Sequence, residues 1–319
     1  MAETFFTLSD GSPRAVMGIR RKSNGTVQTL DESVADGDTV GAQLDGSGSI
    51  RFLGIDSPEK SFEQPIGGGQ VLNGAKWEQY LTNPFANGYP VHLLEPQLAA
   101  HLLARFGSGA AANHHQHAVA AGDNLKQLIQ SDMTALGQTL DQFQYFLSFS
   151  YEVFDRFGRF LVFLNRNQPN PTVPSPRPRS YNDRQLQAGR ALPYFIWPNV
   201  NPFRDFATVA QAVPRPGTAN TVAETGDLKR SRDFVKSARA TGIGVFEAAD
   251  PLRFEAFEIR YLGRAEAPNR GVIDLSKNDD VILRPQSYFK IPNPEDRLFI
   301  PAEFVPLFAA KGWRLEGFV

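Results

Sequence analysis

Asp36-Gly37-Asp38-Thr39-Val40-Gly41-Ala42-Gln43-Leu44-Asp45-Gly46, followed after a short Ser/Gly run by Ile50-Arg51-Phe52-Leu53-Gly54-Ile55, decides the fold. Apolar and polar positions alternate on both sides of Asp45-Gly46, a dipeptide suited to a tight turn. The stretch therefore predicts two antiparallel strands, Thr39 to Leu44 and Ile50 to Ile55. Asp10-Gly11 and Asn24-Gly25 set off two more, Ala15 to Arg20 and Thr26 to Leu30. Ser148 to Leu164 alternates again around Asp155 to Gly158 and predicts a hairpin. A small closed barrel buries such strands without leaving open edges.

Helical spacing adds the second half of an α+β chain. Asp123 to Phe146 places Leu125, Leu128, Ile129, Met133, Leu136, Leu140 and Phe143 near one face and predicts an amphipathic helix on the barrel. Tyr181 to Arg190 and Asp227 to Ala240 predict two more helices, the second ended by Gly242-Ile243-Gly244. Residues 1–26 are expected to be an N-terminal extension. Residues 64–122, with short helical patterns at Asn73 to Leu81 and Pro96 to Phe106, are expected to be an insertion. Within them His114-His117 has no acidic or cysteine companions; it is expected to be a flexible, solvated loop, zinc or nickel binding being the alternative. Asn165 to Arg179, with five prolines, predicts an exposed extended loop. Its Pro-Arg-Pro-Arg at 176–179 is expected to be solvated. Residues 251–319 are expected to form an appended α+β subdomain, with strands at Arg253 to Leu262, Val272 to Leu275 and Asp280 to Leu283 and a short helix at Pro301 to Lys311.

Composition narrows the classes of function. With 319 residues, 41% hydrophobic and 21% charged, the chain is long and apolar enough for a sizeable core. A net charge of −1 means that contact with nucleic acid must come from a local basic cleft, not from a polycationic field. The absence of cysteine excludes disulfides, thiolate metal sites and cysteine nucleophiles. No run approaches the ~18 apolar residues of a membrane span. The first residues lack a basic segment followed by an apolar one, so a secretory signal is not expected, and cytoplasmic residence or export by a leaderless route stays open.

Two acidic clusters carry the chemistry: Asp36-Gly37-Asp38-Thr39 at a strand start, and Asp56-Ser57-Pro58-Glu59 beyond the strand that holds Arg51. Neighbouring strands bring such clusters together. Asp38, Asp56 and the main-chain carbonyl of Ser57 offer the hard oxygen ligands that calcium prefers, with Asp36 as an outer contact.

In joint order, Val34 to Thr39, Arg51 to Glu59, Asp155-Arg156-Phe157-Gly158-Arg159 and Asn182 to Ala191 resemble the staphylococcal nuclease-like family, the thermonucleases; Ser237 to Phe246 is a weaker fifth match. The resemblance covers roughly 27–63 and 123–247. It implies a nuclease-like domain at 27–250 with the OB-fold, a five-stranded β-barrel with packed helices, enlarged by the insertion and the C-terminal extension. It further implies a sugar-nonspecific nuclease that cuts DNA and RNA with calcium, or with magnesium or another divalent ion, and leaves 3′-phosphate and 5′-hydroxyl ends. Carried over, Asp38, Asp56 and Ser57 hold the ion, Glu59 orients or deprotonates water, and Arg51 and Arg159 grip the phosphate. Planar guanidinium forks suit the charge that builds on phosphate oxygens. Arg156, Phe157, Phe195 and Trp197 fall where nucleotide contacts are expected, the last two in place of the family's tyrosines. The alternative reading is a catalytically inactive nucleic-acid-binding or scaffold module of the same fold.

Overall fold

The computed structural model describes residues 5–7, 13–44, 46–63, 71–155, 157–168 and 176–318. Four strands, β1 (Phe5–Thr7), β2 (Pro13–Ile19), β3 (Thr39–Leu44) and β4 (Gly46–Phe52), succeed one another as antiparallel neighbours. After a short β5 (Gly54–Asp56), the predicted hairpin follows as β6 (Gln144–Phe154) and β7 (Phe160–Arg166). β7 runs parallel to β4, and β6 returns to pair with β2, so β2-β3-β4-β7-β6 closes into a five-stranded barrel. That order, with the third and fifth barrel strands parallel, is compatible with an OB-like barrel. Its interior is filled by the alternate residues Val40, Ile50 and Phe52, Tyr145 and Leu147, and Val162 and Leu164. β2 is a barrel strand that places Met17 and Ile19 in the core, so this part of 1–26 is not an extension.

The chain leaves the barrel at Gly54, whose φ of +75° lies in the left-handed region that disfavours a side chain. Beyond this kink, β5 enters a second sheet of order β12-β10-β9-β11-β8-β5. Its other strands are β8 (Leu192–Ile196), β9 (Gly271–Asp274), β10 (Val281–Leu283), β11 (Arg297–Ile300) and β12 (Arg314–Glu316). Residues 251–319 are thus not an appended unit, since four of their strands extend a sheet begun by β5 and β8.

The helices are α1 (Leu30–Ser33), α2 (Ala75–Thr82), α3 (Pro96–Leu103), α4 (Ala110–Leu136), α5 (Tyr181–Gln187), the short α6 (Val209–Ala212) and α7 (Ala219–Ala223), α8 (Gly226–Thr241), α9 (Ala256–Arg264) and α10 (Val305–Ala310). Among the described residues no helix is long and apolar enough to cross a membrane. Three expectations fail for local reasons. Thr26 to Leu30 is not a strand; a reciprocal cap between Thr29 and Glu32 starts α1 instead. Arg253 to Leu262 is not a strand either, because Glu255 and Glu258 make the same reciprocal cap and start α9. His114-His117 is no solvated loop but the second turn of α4, with both His114 and His117 buried. The face of α4 that carries them is small and polar, with Ala110, Ala111, Asn113, Ala118 and Ala121, and so lacks the large apolar residues that reveal a helix in sequence. The C-terminal end of α4 falls at Gly137, leaving Leu140 and Phe143 in the turn before β6.

Residues 72–111 and the C-terminal region share one core. Trp77, Tyr80 and Leu98 pack in the same cluster as Phe254, Phe257, Ile259 and Leu262.

Candidate active site

Barrel register places the first half of the site. Thr39 of β3 lies opposite Arg51 of β4, so Asp38, just before β3, lies beside the Arg51 side chain. Arg51 donates from Nη1 to Asp38 Oδ1 (2.9 Å) and from Nη2 to Asp56 Oδ1 (2.5 Å). Asp38 Oδ2 accepts from the Ser57 amide (2.9 Å), which ties the two acidic clusters together. Gly37 permits this approach. A Cβ there would lie 2.6 Å from Ala121 Cβ in α4 and 2.9 Å from Ser57 Cβ. Gln185 of α5 holds the junction by donating to the carbonyls of Gly37 (2.6 Å) and Ala121 (2.9 Å).

The second half comes from α4 and the C-terminal region. The Glu59 amide donates to His114 Nε2 (2.8 Å), and His114 Nδ1 lies 3.2 Å from the Phe254 carbonyl. A neutral ring protonated on Nδ1 satisfies both partners. Burial agrees, pushing the His114 pKa down to about 3. Arg260 of α9 grips Asp56 with both nitrogens, Nη1 to Oδ1 (2.9 Å) and Nη2 to Oδ2 (2.8 Å), and donates from Nη1 to Glu59 Oε1 (2.7 Å). Asp38, Arg51, Asp56, Arg260 and Glu59 thus form a ladder of alternating charge.

The ladder is short of positive charge. Asp36, whose Oδ1 accepts from the Asp38 amide (3.2 Å), adds a fourth carboxylate against two guanidiniums. Its carboxyl is pushed well up by burial and by the charges of Asp38 and Glu59. Burial also raises Glu59, an effect that Arg260 and Arg51 only partly oppose. For Asp56 burial acts in the same direction, but the two guanidiniums overcome it and hold the carboxyl below the usual range.

The other expected residues fare differently. Arg159 lies just before β7, whose Leu161 pairs with Arg51; its Nε donates to Asp155 (2.7 Å), not to the ladder. Phe157 is 63% exposed beside it, with the Arg159 guanidinium 5.4 Å from its ring centroid. Arg156 lies outside the described residues. Phe195 and Trp197 are not available to stack on a nucleotide. Both are buried in a cluster with Leu298 and Phe308, and Trp197 meets Phe304 and Phe308 edge-on. The C-terminal region covers the face on which they were expected to be open.

Among the described residues no group of three or more His, Cys, Asp or Glu side chains is arranged to hold a metal ion. Asp38, Asp56 and Ser57 nevertheless fit a hard divalent ion in chemistry. Their donors are oxygens, carboxylate charge is in excess, and the buried Ser57 hydroxyl has no hydrogen-bond partner. The oxygens of Asp56 are engaged by guanidinium, so an ion reaches them only in exchange.

Neither a protein-family model nor a curated protein matches the chain. Sequence reading missed His114 and Arg260. The His114-His117 tract stood out in the sequence but its partner did not, and nothing local marks Arg260, because each meets its site partners across 55 or more than 200 residues of chain.

Proposed function

We propose that this chain is a hydrolase of phosphodiester bonds: a divalent-ion-dependent, sugar-nonspecific nuclease of the staphylococcal nuclease type, acting on DNA and RNA. The observation that carries the reading is Arg51 held between Asp38 and Asp56 at the end of a barrel strand, with Ser57 and Glu59 directly beyond. In this reading the Arg51 fork binds two non-bridging phosphate oxygens and stabilises the charge that grows on them. Glu59 orients or deprotonates the attacking water, and burial, by raising its proton affinity, suits it to accept a proton. Water adds to phosphorus, the P–O5′ bond breaks and the 5′ oxygen takes up a proton, which leaves 3′-phosphate and 5′-hydroxyl ends. Arg159 must exchange Asp155 for phosphate to join Arg51. Calcium held by Asp38, Asp56 and Ser57 supplies charge neutralisation to the phosphate when bound.

A second reading, a non-catalytic nucleic-acid-binding module, is favoured by one observation: Arg260 already occupies both oxygens of Asp56 and one of Glu59. Incubation of the full chain with single-stranded DNA, duplex DNA and RNA, in calcium, magnesium or chelator, separates the two. Ion-dependent cleavage that falls ~10²–10⁴-fold in Glu59→Gln supports the enzyme. Binding without cleavage under every ion supports the module.

A further inference from the structure

We propose that Arg260 is the resident cation of the acidic site, and that its guanidinium and a divalent ion bind Asp56 in competition. The inference rests on the preceding reading only for which ion competes.

Three observations carry it. First, the guanidinium spans the two carboxylates of opposed roles: it takes both oxygens of Asp56, the expected ion ligand, and reaches Glu59 Oε1, the expected partner of water. Second, α9 is anchored independently of this contact. Arg105 grips Glu258 with two hydrogen bonds (2.9 and 2.7 Å), Tyr80 donates to the Leu262 carbonyl (2.7 Å), and Gly263 sits so close to Glu63 that an added Cβ would lie 2.4 Å from its carbonyl oxygen. The helix therefore stays in place whether or not Arg260 is seated, and only a long, flexible side chain, 16% exposed, has to move. Third, the cluster keeps more carboxylates than guanidiniums, so a doubly charged ion gains more there than the single charge it replaces.

Arg260 is tethered, so its local concentration at Asp56 is fixed by the fold, whereas the ion competes from solution. The apparent ion affinity is lowered by the fraction of molecules in which Arg260 is seated. An ion that displaces Arg260 also releases Glu59, coupling ion binding to the freedom of that carboxylate.

The test reads binding and not cleavage: calorimetric titration of calcium chloride into the chelator-stripped full chain, as wild type, Arg260→Gln and Arg260→Lys, with folding checked by circular dichroism. Removal of the guanidinium is expected to tighten calcium binding by about tenfold or more. Lysine, which cannot span two carboxylates with a planar fork, should tighten it by less. If Arg260→Gln does not fold, the Arg260→Lys comparison carries the test. Affinities within twofold of wild type in the folded variants overturn the proposal, as does an absence of calcium binding in all three. Adding Asp56→Asn to the glutamine or lysine variant should abolish the calcium signal; a signal that persists places the ion elsewhere and also overturns it. A chain that cleaves no nucleic acid would refute the nuclease reading and leave these affinities to be judged by themselves.

Discussion

Replacing His114 by leucine tests whether α4 holds up the candidate site. Leucine fills the same helical position but neither accepts from the Glu59 amide nor donates to the Phe254 carbonyl, and it leaves two backbone groups without partners in a buried place. An unsatisfied buried group costs ~1–3 kcal/mol, so with two of them the variant should be less stable by ~2–6 kcal/mol at neutral pH. The loss should also depend on pH. Native His114 has a pKa lowered from 6.5 to about 3, chiefly by burial; the Phe254 carbonyl and Asp56 push it up, and His117 and Arg260 push it down. The unfolded chain binds a proton below pH 6.5 that the folded chain refuses. Stability linked to the neutral ring is therefore complete above 6.5 and is lost as pH falls towards 3, by about 1.4 kcal/mol per unit. Leucine has no such term, and the carboxylates common to both chains cancel to first order. The gap between wild type and His114→Leu should therefore narrow by ~2.7 kcal/mol between neutral pH and about pH 4.5. Equilibrium urea denaturation of both proteins at the two pH values measures it. A gap that changes by less than about 0.5 kcal/mol would refute the reasoning.

Other perturbations probe the joints around the site. Gly37→Ala forces a methyl group against Ala121 and Ser57 and should cost ~1–3 kcal/mol in thermal or urea unfolding. Ala121→Gly in the same chain should recover part of that loss, and strictly additive losses would contradict the contact. Glu258→Gln removes the charge and one of the two oxygens that serve Arg105, Tyr288 and the α9 cap, leaving Arg105 without its anion; a loss of ~3–5 kcal/mol is expected, and a change near zero would show that this buried pair does not anchor α9. Excision of 114–117, harmless to a loop, would rotate the rest of α4 by ~40° and draw it back by ~6 Å. Circular dichroism should then show a disrupted fold, whereas a native-like melt would argue against the helical assignment.

What could be read from the sequence was local or strictly periodic. Alternation and turn residues marked Thr39 to Leu44 and the Ser148 to Leu164 hairpin, because a strand's period of two and a tight turn's backbone demands are written in neighbouring residues. The grouping of Asp38, Arg51, Asp56 and Ser57 was legible for a related reason: they lie within about twenty positions, the β3–β4 register sets Asp38 beside Arg51, and the short run from Arg51 brings Asp56 and Ser57 back to both. Helices with small or polar faces were not legible. The Ala/His face of α4 and the mixed pattern at Arg253 to Leu262 lack the large apolar stripe that distinguishes a helix.

The sequence by itself therefore determined the barrel strands and the acidic and basic residues that they gather. Only the tertiary structure decided what completes the site: His114 on the Glu59 amide, Arg260 on Asp56 and Glu59, and the burial of Phe195 and Trp197 beneath the C-terminal region. Such contacts join residues far apart in the chain and depend on how whole elements pack, whereas the pattern of a strand or turn is set within a few residues. The Arg260 guanidinium illustrates the difference. Its sequence neighbours announce only a helix, yet the packing of that helix places it between the carboxylates of Asp56 and Glu59.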